Sequence, residues 1–411
     1  MKAHSITYAG WAKDTVATLL FVLTFSCVPT QSYGAGSTPH EYDYFEVRGG
    51  TAHFFQQCKE RKRARVAFLG GSITQMTGWR DLVMENLQTR FPEVEFDFIQ
   101  AGVASMGSTP GAFRLRRDVF GEGQVDLLFV EAAVNDSTNY RSSSEQVRGM
   151  EGIVRGAMIE NPEISIIMMH FVDPEKMTVY RADEIPEVIV NHEKVASYYN
   201  VPSLNLAKEV TERIDAGEFT WEKDFKNLHP SPFGHQIYAH SIERLLDAAW
   251  MARESAENQT HLPENAIDEF SYSNGVIVEF DKASTLNGFE SIEQWSPSDN
   301  KGTRPGFTDV PMLVGENPGD EFTFEFTGKA VGLWVAAGPD AGNIEFTVDG
   351  SKAKIVDTYT RWSRALHLPW AYMLETELEN KKHTVTVKIL DKKNKRSTGN
   401  AIRIAHFLVN R

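Results

Sequence analysis

The hydrophobic pattern changes its period between residues 65 and 87. An apolar run over residues 66–69 meets two glycines and Ser72, and apolar residues then recur at helical spacing at Trp79, Leu82, Val83 and Leu87. This order predicts a strand, a sharp turn and a helix. The paired glycines let the backbone bend freely and let a substrate come close to the Ser72 hydroxyl.

Four further apolar segments predict strands, and helical patterns lie between them. These segments are residues 94–99, 125–130, 164–169 and 201–206. Ser231 followed by Pro232 predicts the start of a last helix, which should end near Ala252. Nearly continuous apolar strands that alternate with helices indicate a parallel sheet covered on both faces, so the predicted class is α/β.

A polar, proline-bearing stretch covers residues 252–266, and we interpret residues 253–261 within it as a linker. A second type of pattern follows. Residues 262–411 contain segments that alternate with period two, and Asp349-Gly350 is a strong hairpin turn. We therefore predict an α/β domain over residues 65–252, preceded by a lead-in segment at 35–64, and an all-β, jelly-roll-like sandwich over 262–411. Trp362 and Trp370 are candidates for stacking on sugar rings, although such residues more often form the core of a sandwich.

The N-terminus has the pattern of an export signal. Lys2 and Lys13 precede an apolar segment at residues 16–28 that is too short to span a bilayer comfortably, and small residues follow it. We expect a signal peptide at residues 1–34, cleaved after Gly34, and a secreted or periplasmic protein. A lipid anchor on Cys27 and an uncleaved anchor are the alternatives. After cleavage only Cys58 remains, which excludes an internal disulfide and a two-cysteine metal site.

Composition and charge narrow the classes of partner. The chain has 411 residues, of which 41% are hydrophobic and 24% charged, as in folded globular proteins. Its formal net charge of -14 argues against nucleic acid or an anionic membrane surface as the partner. No stable membrane insertion is expected after signal cleavage. Neutral or weakly charged ligands remain possible partners.

Four loops carry the candidate chemistry, three of them after predicted strands and one before the last helix. They offer the Ser72 hydroxyl, the Gly102 N–H, the Asn135 side-chain amide and the His229 imidazole. Functional loops of open parallel sheets lie at the carboxyl ends of the strands, so these groups should meet. Ser72 would attack an acyl carbon and His229 would accept its proton, while the N–H groups of Ser72 and Gly102 and the Asn135 amide would hold the oxyanion.

These blocks, GGSIT, QAGVASMG, AVND and LHPSPFGH, resemble those of the SGNH or GDSL hydrolases over roughly residues 66–250. The resemblance is strongest to exported bacterial members that deacetylate polysaccharides and carry a β-sandwich. It implies a flavodoxin-like three-layer α/β/α fold and ester hydrolysis without a metal or cofactor. The expected function is removal of O-acyl groups, foremost O-acetyl, from a carbohydrate. A lipid or aryl-ester hydrolase and a secreted carbohydrate-binding protein with an inactive hydrolase domain are the alternatives.

The sequence departs from the family pattern at three positions. Gly71 replaces the aspartate of GDS, Ala133 replaces the glycine of GxND, and Lys226 stands where the third triad member is expected, three residues before the histidine. A lysine cannot accept the imidazole N–H. We expect Asp224 to take that role. Asp173, or a backbone carbonyl behind a Ser-His dyad, are the alternatives.

Overall fold

The computed structural model describes residues 44–254 and 262–411. The predicted signal peptide and most of the predicted linker lie outside the described residues. Within these ranges no helix is both long enough and apolar enough to cross a bilayer.

The first domain alternates strands and helices, as the sequence predicts. Its elements in chain order are β1 (Phe45–Glu46), α1 (Ala52–Arg61), β2 (Arg63–Gly70), α2 (Ser72–Gln75), α3 (Trp79–Arg90), β3 (Glu95–Gly102), α4 (Ser108–Asp118), β4 (Leu127–Glu131), α5 (Ala133–Thr138), α6 (Ser143–Glu160), β5 (Ser165–Met169), α7 (Pro174–Tyr180), α8 (Glu187–Tyr198), β6 (Ser203–Leu204), α9 (Leu206–Asp215), a π-helical turn (Trp221–Phe225) and α10 (Pro232–Ala252).

The strands form one mixed sheet in the order β1-β6-β5-β4-β2-β3. Strands β2 to β6 run parallel, and β1 pairs antiparallel with β6 at one edge. The parallel strands thus follow the order of flavodoxin-like sheets, in which the first strand lies between the second and third. The predicted α/β fold class is confirmed. Gly70 and Gly102 are in register at the carboxyl ends of β2 and β3, so the loops that follow them start side by side.

The segment before β2 is a structural part of this domain. Within the predicted lead-in at residues 35–64, the described part from residue 44 on supplies the edge strand β1 and the helix α1. Helix α1 buries Phe54, Phe55 and Cys58 in the hydrophobic cluster that covers one face of the sheet. Its apolar residues are few and adjacent, which gave no clear helical period in the sequence.

Alternate residues of the central strands enter two hydrophobic clusters, one on each face of the sheet. On β2 and β4, Phe68 and Phe129 lie in one cluster, whereas Leu69 and Val130 lie in the other. The rings of Phe68 and Phe129 stack at a centroid distance of 5.2 Å. This double burial explains why the strands read as continuous apolar runs.

The second domain consists of two antiparallel sheets. Its strands are β7 (Gly275–Glu279), β8 (Ala283–Asn287), β9 (Glu290–Trp295), β10 (Val310–Gly315), β11 (Glu321–Gly328), β12 (Ala330–Ala337), β13 (Asn343–Val348), β14 (Lys354–Asp357), β15 (Leu368–Glu375), β16 (Lys381–Ile389) and β17 (Ile402–Asn410). One sheet has the order β15-β12-β17-β10-β9, with β7 also paired to β17, and the other has the order β14-β13-β16-β11-β8. Asp349 and Gly350 both have positive φ between β13 and β14, as the predicted hairpin turn requires.

The two domains share a continuous hydrophobic cluster. Tyr272, Trp334, Ala371 and Leu408 of the second domain belong to the cluster that covers one face of the α/β sheet. Arg141 also donates to the backbone carbonyl of Ala371 at 2.7 Å. The β-sandwich is therefore packed against the α/β domain through buried apolar surface.

Candidate active site

Ser72 is the first residue of α2 and follows the extended Gly71 directly. Its Oγ lies 2.8 Å from Nε2 of His229. Gly71, which has no side chain, occupies the N-cap position, so the hydroxyl of Ser72 is not used as a helix cap. The first N–H groups of a helix have no intrahelical acceptor, which leaves the N–H of Ser72 available to a ligand.

His229 lies in the loop between the π-helical turn and α10, and its backbone N–H donates to Oδ1 of Asn227 at 2.8 Å. Partial burial, followed by the positive charge of Arg304, lowers the pKa of His229 below the ordinary value for histidine. A lowered pKa keeps the imidazole neutral at neutral pH. His229 can therefore accept a proton from the Ser72 hydroxyl.

Gly102 lies where no side chain fits. A Cβ at this position would stand 2.4 Å from the backbone nitrogen of Gln75, in the helix that Ser72 begins. The end of β3 is thereby held against α2. The sequence prediction that Gly102 lies beside Ser72 agrees with this close approach.

Asn135 approaches the same point from α5. A Cβ on Gly71 would stand 2.0 Å from Oδ1 of Asn135, so the amide side chain lies directly against the residue before Ser72. This contact also gives a physical reason for glycine where the family has aspartate in GDS. The structure thus brings together Ser72, His229, Gly102 and Asn135.

Asp224 does not join them. Its carboxylate accepts hydrogen bonds from the backbone N–H and the hydroxyl of Thr220, at 2.7 and 2.9 Å. These bonds lower the pKa of Asp224 and hold it within the π-helical turn. In this geometry our prediction that Asp224 orients His229 is wrong, because the turn directs its carboxylate to Thr220.

The alternative acid, Asp173, is also engaged elsewhere. It caps α7 by accepting from the backbone N–H of Lys176 at 3.0 Å, and its carboxylate forms a buried ion pair with the ammonium group of the same lysine. Lys226 stands at the family's acid position with a φ of 82°. Among the described residues, no group accepts a hydrogen bond from Nδ1 of His229.

A buried polar network lies behind Asn135. Asp136 is fully buried and accepts from the backbone N–H and the hydroxyl of Ser108, at 2.8 and 2.5 Å. Its carboxylate also contacts Nε2 of the buried His192 at 3.0 Å. His235 is also buried, and its Nδ1 accepts a hydrogen bond from the backbone N–H of Trp79 at 3.1 Å. Burial lowers the pKa of His235 to about 4, which keeps its ring neutral.

Arg304 is a site residue that sequence reasoning missed. It belongs to the segment between β9 and β10 of the sandwich, and its charge acts on His229 across the domain boundary. Arg361, also in the sandwich, donates to the backbone carbonyl of Thr138 at the end of α5, at 3.1 Å. No local motif marks either arginine, since each approaches the site only through domain packing.

The two candidate stacking residues differ in exposure. Trp370 is 8% exposed and lies in the sandwich core, whereas Trp362 is 42% exposed. The Arg361 guanidinium lies 4.7 Å from the centroid of the Trp362 ring and 4.8 Å from that of Tyr140. Trp362 is thus the one of the pair available to a ligand.

No group of three His, Cys, Asp or Glu side chains within residues 44–254 and 262–411 is placed to hold a metal ion.

Residues 68–237 match the model of the GDSL-like Lipase/Acylhydrolase family. The segment spans all four blocks that form the candidate site. The α/β domain belongs to this family, and the chain therefore carries a carboxylic ester hydrolase domain of the GDSL type.

Solved structures share the two-domain architecture. A two-domain esterase active on acetylated mannans, co-crystallised with mannopentaose, is 20% identical and superimposes with a TM-score of 0.72, covering 90% of this chain and 97% of its own. The same esterase without that ligand gives 19% identity and a TM-score of 0.71, with 90% and 98% covered. A catalytic variant of an acetylxylan esterase from Geobacillus stearothermophilus matches 44% of this chain and 94% of its own at 17% identity, with a TM-score of 0.37. At these identities the likeness to the mannan esterase shows a shared fold. No protein in the curated set matches the sequence.

Proposed function

We propose that this protein is an exported serine esterase that removes O-acetyl groups from a carbohydrate. The observation that carries the proposal is the 2.8 Å contact between Ser72 Oγ and His229 Nε2, next to Gly102 and Asn135. A serine, a neutral imidazole and preorganised donors are the groups that acyl transfer requires.

The reaction follows from this arrangement. Ser72 Oγ bonds to the acetyl carbon while Nε2 of His229 takes its proton, and the N–H groups of Ser72 and Gly102 and the Asn135 amide hold the oxyanion. The bond from the acetyl carbon to the sugar oxygen then breaks, and His229 returns the proton to that oxygen. Water attacks the acetyl-enzyme next, His229 accepts the water proton, and acetate leaves as Ser72 regains its proton.

His229 works in this scheme without an orienting carboxylate from the described residues. Its ring contacts Ser72, and its backbone is held by the hydrogen bond from its N–H to Oδ1 of Asn227. Loss of the acid from a triad costs several orders of magnitude in kcat, but the oxyanion donors act independently of the acid, so a dyad of this kind still accelerates hydrolysis over the reaction in water.

A cavity between the domains supports a carbohydrate substrate. It has a volume of about 370 Å³ and is lined by Val103, which follows Gly102, and by Pro305, which follows Arg304. Phe307 and Trp334 also line it, with ring centroids 5.6 Å apart. Apolar and aromatic walls with a few polar groups are typical of pockets that bind small organic molecules. The two-domain esterase with the same fold is active on acetylated mannans, which agrees with this choice.

Acetate release from acetylated mannan and acetylated xylan tests the proposal, with wild-type protein, Ser72→Ala and the exposed-serine control Ser197→Ala. Acetate from either polymer, lost only in Ser72→Ala, supports it. Turnover of long-chain lipid esters in preference to these polymers would favour the lipid esterase alternative. Binding to the polymers without turnover of even a small chromogenic acetate would favour a carbohydrate-binding protein, the alternative that the missing acid at Lys226 favours.

Export is a separate part of the proposal, and it rests on the sequence of residues 1–34. N-terminal sequencing of protein recovered from the periplasm or medium is expected to begin at Ala35. Protein found only in the cytosol, beginning at Met1, would contradict export.

A further inference from the structure

A carboxylate is buried at the carboxyl end of the central strand β4. Glu131 is 2% exposed, and its Oε1 accepts a hydrogen bond from the backbone N–H of Val134 at 3.1 Å. A carboxylate in the interior is costly unless hydrogen bonds or opposite charges compensate it. The reaction described above does not use Glu131.

This hydrogen bond ties strand β4 to the helix that carries Asn135. Ala132 is the N-cap of α5 and has no polar side chain to satisfy the first N–H groups of the helix. The Glu131 carboxylate supplies that acceptor to Val134, the residue directly before Asn135. A negative charge at a helix N-terminus is further favoured by the helix dipole.

We propose that Glu131 is a positioning residue, whose carboxylate fixes the first turn of α5 and thereby holds the Asn135 amide in the oxyanion hole. This inference rests on the proposed function. Asn135 has little freedom to compensate for a shift of α5, since its Oδ1 would be 2.0 Å from a Cβ on Gly71. A small displacement of the helix therefore changes the distance between the amide and the acyl oxygen held at Ser72.

The groups around Glu131 make the hydrogen bond that it accepts from Val134 depend on pH. Burial raises the pKa of Glu131 to about 7, although the Val134 N–H and the ammonium of Lys176 favour the ionised form. The other ionisable groups that face it are Asp136 from α5, Asp173 from the turn before α7, and Tyr238 from α10. The ionised carboxylate is the stronger acceptor, so the cap strengthens as the pH rises through about 7. His229 titrates separately, because its own pKa lies below the ordinary histidine value.

Kinetics on a small acetate ester test the inference. We would measure kcat and KM against pH for wild type, Glu131→Gln, Asn135→Ala and the double variant, with the exposed Glu163→Gln as the matched control. Glu131→Gln should fold, because it resembles in shape and charge the protonated form that the wild type populates at low pH. Near-UV circular dichroism checks this.

The expected result is a fall in kcat of about five- to tenfold in Glu131→Gln, with KM nearly unchanged and the ionisation near the pKa of Glu131 absent. Because Glu131 acts through Asn135, the double variant should be no slower than Asn135→Ala alone. Glu163→Gln should match wild type.

Two results would overturn the positioning role. One is a wild-type kcat for Glu131→Gln at high pH. The other is a loss of kcat in the double variant equal to the product of the losses in Glu131→Gln and Asn135→Ala. The wild-type pH profile is the second measurement and does not depend on any variant folding. It should show two ionisations on its acid side, and a single one would overturn the inference. Inactive wild-type protein, or wild-type kcat in Asn135→Ala, would instead refute the proposed site and the positioning role with it.

Discussion

Nε2 of His229 lies 2.8 Å from Oγ of Ser72, across 157 positions of the chain. Within the described residues the other ring nitrogen has no acceptor, because Asp224 is held by Thr220 and Asp173 by Lys176. The proposed site therefore consists of a serine, a base and three oxyanion donors. The predictions below follow from that arrangement.

Ser72→Ala should abolish ester hydrolysis while the thermal unfolding midpoint stays close to that of wild type. The hydroxyl contacts His229 and caps no helix, so its removal costs little stability. Initial rates on a chromogenic acetate and differential scanning calorimetry check both parts, with Ser197→Ala as the control. Activity within about tenfold of wild type would reject Ser72 as the nucleophile.

Asp224→Asn should leave kcat within about twofold of wild type, since the carboxylate bonds Thr220 and not His229. An orienting acid would instead lose several orders of magnitude on the same change. Steady-state kinetics at saturating substrate make the distinction. A steep fall, with the fold intact by circular dichroism, would restore Asp224 as the third member of a triad.

Asn135→Ala should lower kcat about 10²-fold or more, the usual cost of one oxyanion donor, with a smaller change in KM. Asn139→Ala is a suitable control, because Asn139 lies just after the same helix and donates to the backbone of Ser105 at 2.9 Å. Comparable losses in both variants would mean that the effect comes from disturbing α5 and not from the amide of Asn135.

Lys226→Gly should stabilise the fold. Lys226 has a φ of 82° and a ψ of -58°, a region that is strained for any residue with a side chain. Relief of that strain should raise the free energy of unfolding by about 0.5–1 kcal/mol, after subtracting the greater flexibility of glycine in the unfolded chain. Chemical denaturation measures the change. Lys223→Gly, in the preceding π-helical turn, should lower the free energy of unfolding. An equal decrease in Lys226→Gly would contradict the proposed strain at Lys226.

Arg304→Gln should move the ionisation of His229, on the acid side of the pH–rate profile, to higher pH. The positive charge of Arg304 disfavours the protonated imidazole and lowers the pKa of His229, so removing the charge raises that pKa. Because only neutral His229 accepts a proton, activity would then fade at a higher pH as the solution is acidified. Arg304→Lys keeps the charge and should retain the wild-type profile. An unchanged profile in Arg304→Gln would show that burial alone sets the pKa.

Much of the fold could be predicted because its signals are local. Strands buried on both faces are continuous apolar runs, and Ser231-Pro232 marks the start of α10 where the structure places it. The four site blocks could be placed for the same reason, since each lies at the end of a predictable strand or before a predictable helix. The parallel topology then brings those ends to one edge of the sheet.

The remaining features depend on packing that no local pattern encodes. The π-helical turn that carries Asp224 is rare, and it directs the carboxylate away from a histidine only five positions later. Arg304 reaches His229 only because the sandwich packs on the α/β domain through a shared hydrophobic cluster. Glu131 directly follows the predicted strand at 125–130, and the hydrogen bond that it accepts from Val134 depends on how the chain enters α5.

Trapping of the acyl-enzyme tests the central claim most directly. The wild-type protein would be mixed with a small acetyl ester, quenched in acid at short times and analysed by peptide mass spectrometry. We predict one acetyl group on the peptide that contains Ser72, formed in step with product release and absent in Ser72→Ala. Rapid turnover of the ester with no acetyl group on Ser72, or with equal turnover in Ser72→Ala, would contradict the proposed mechanism.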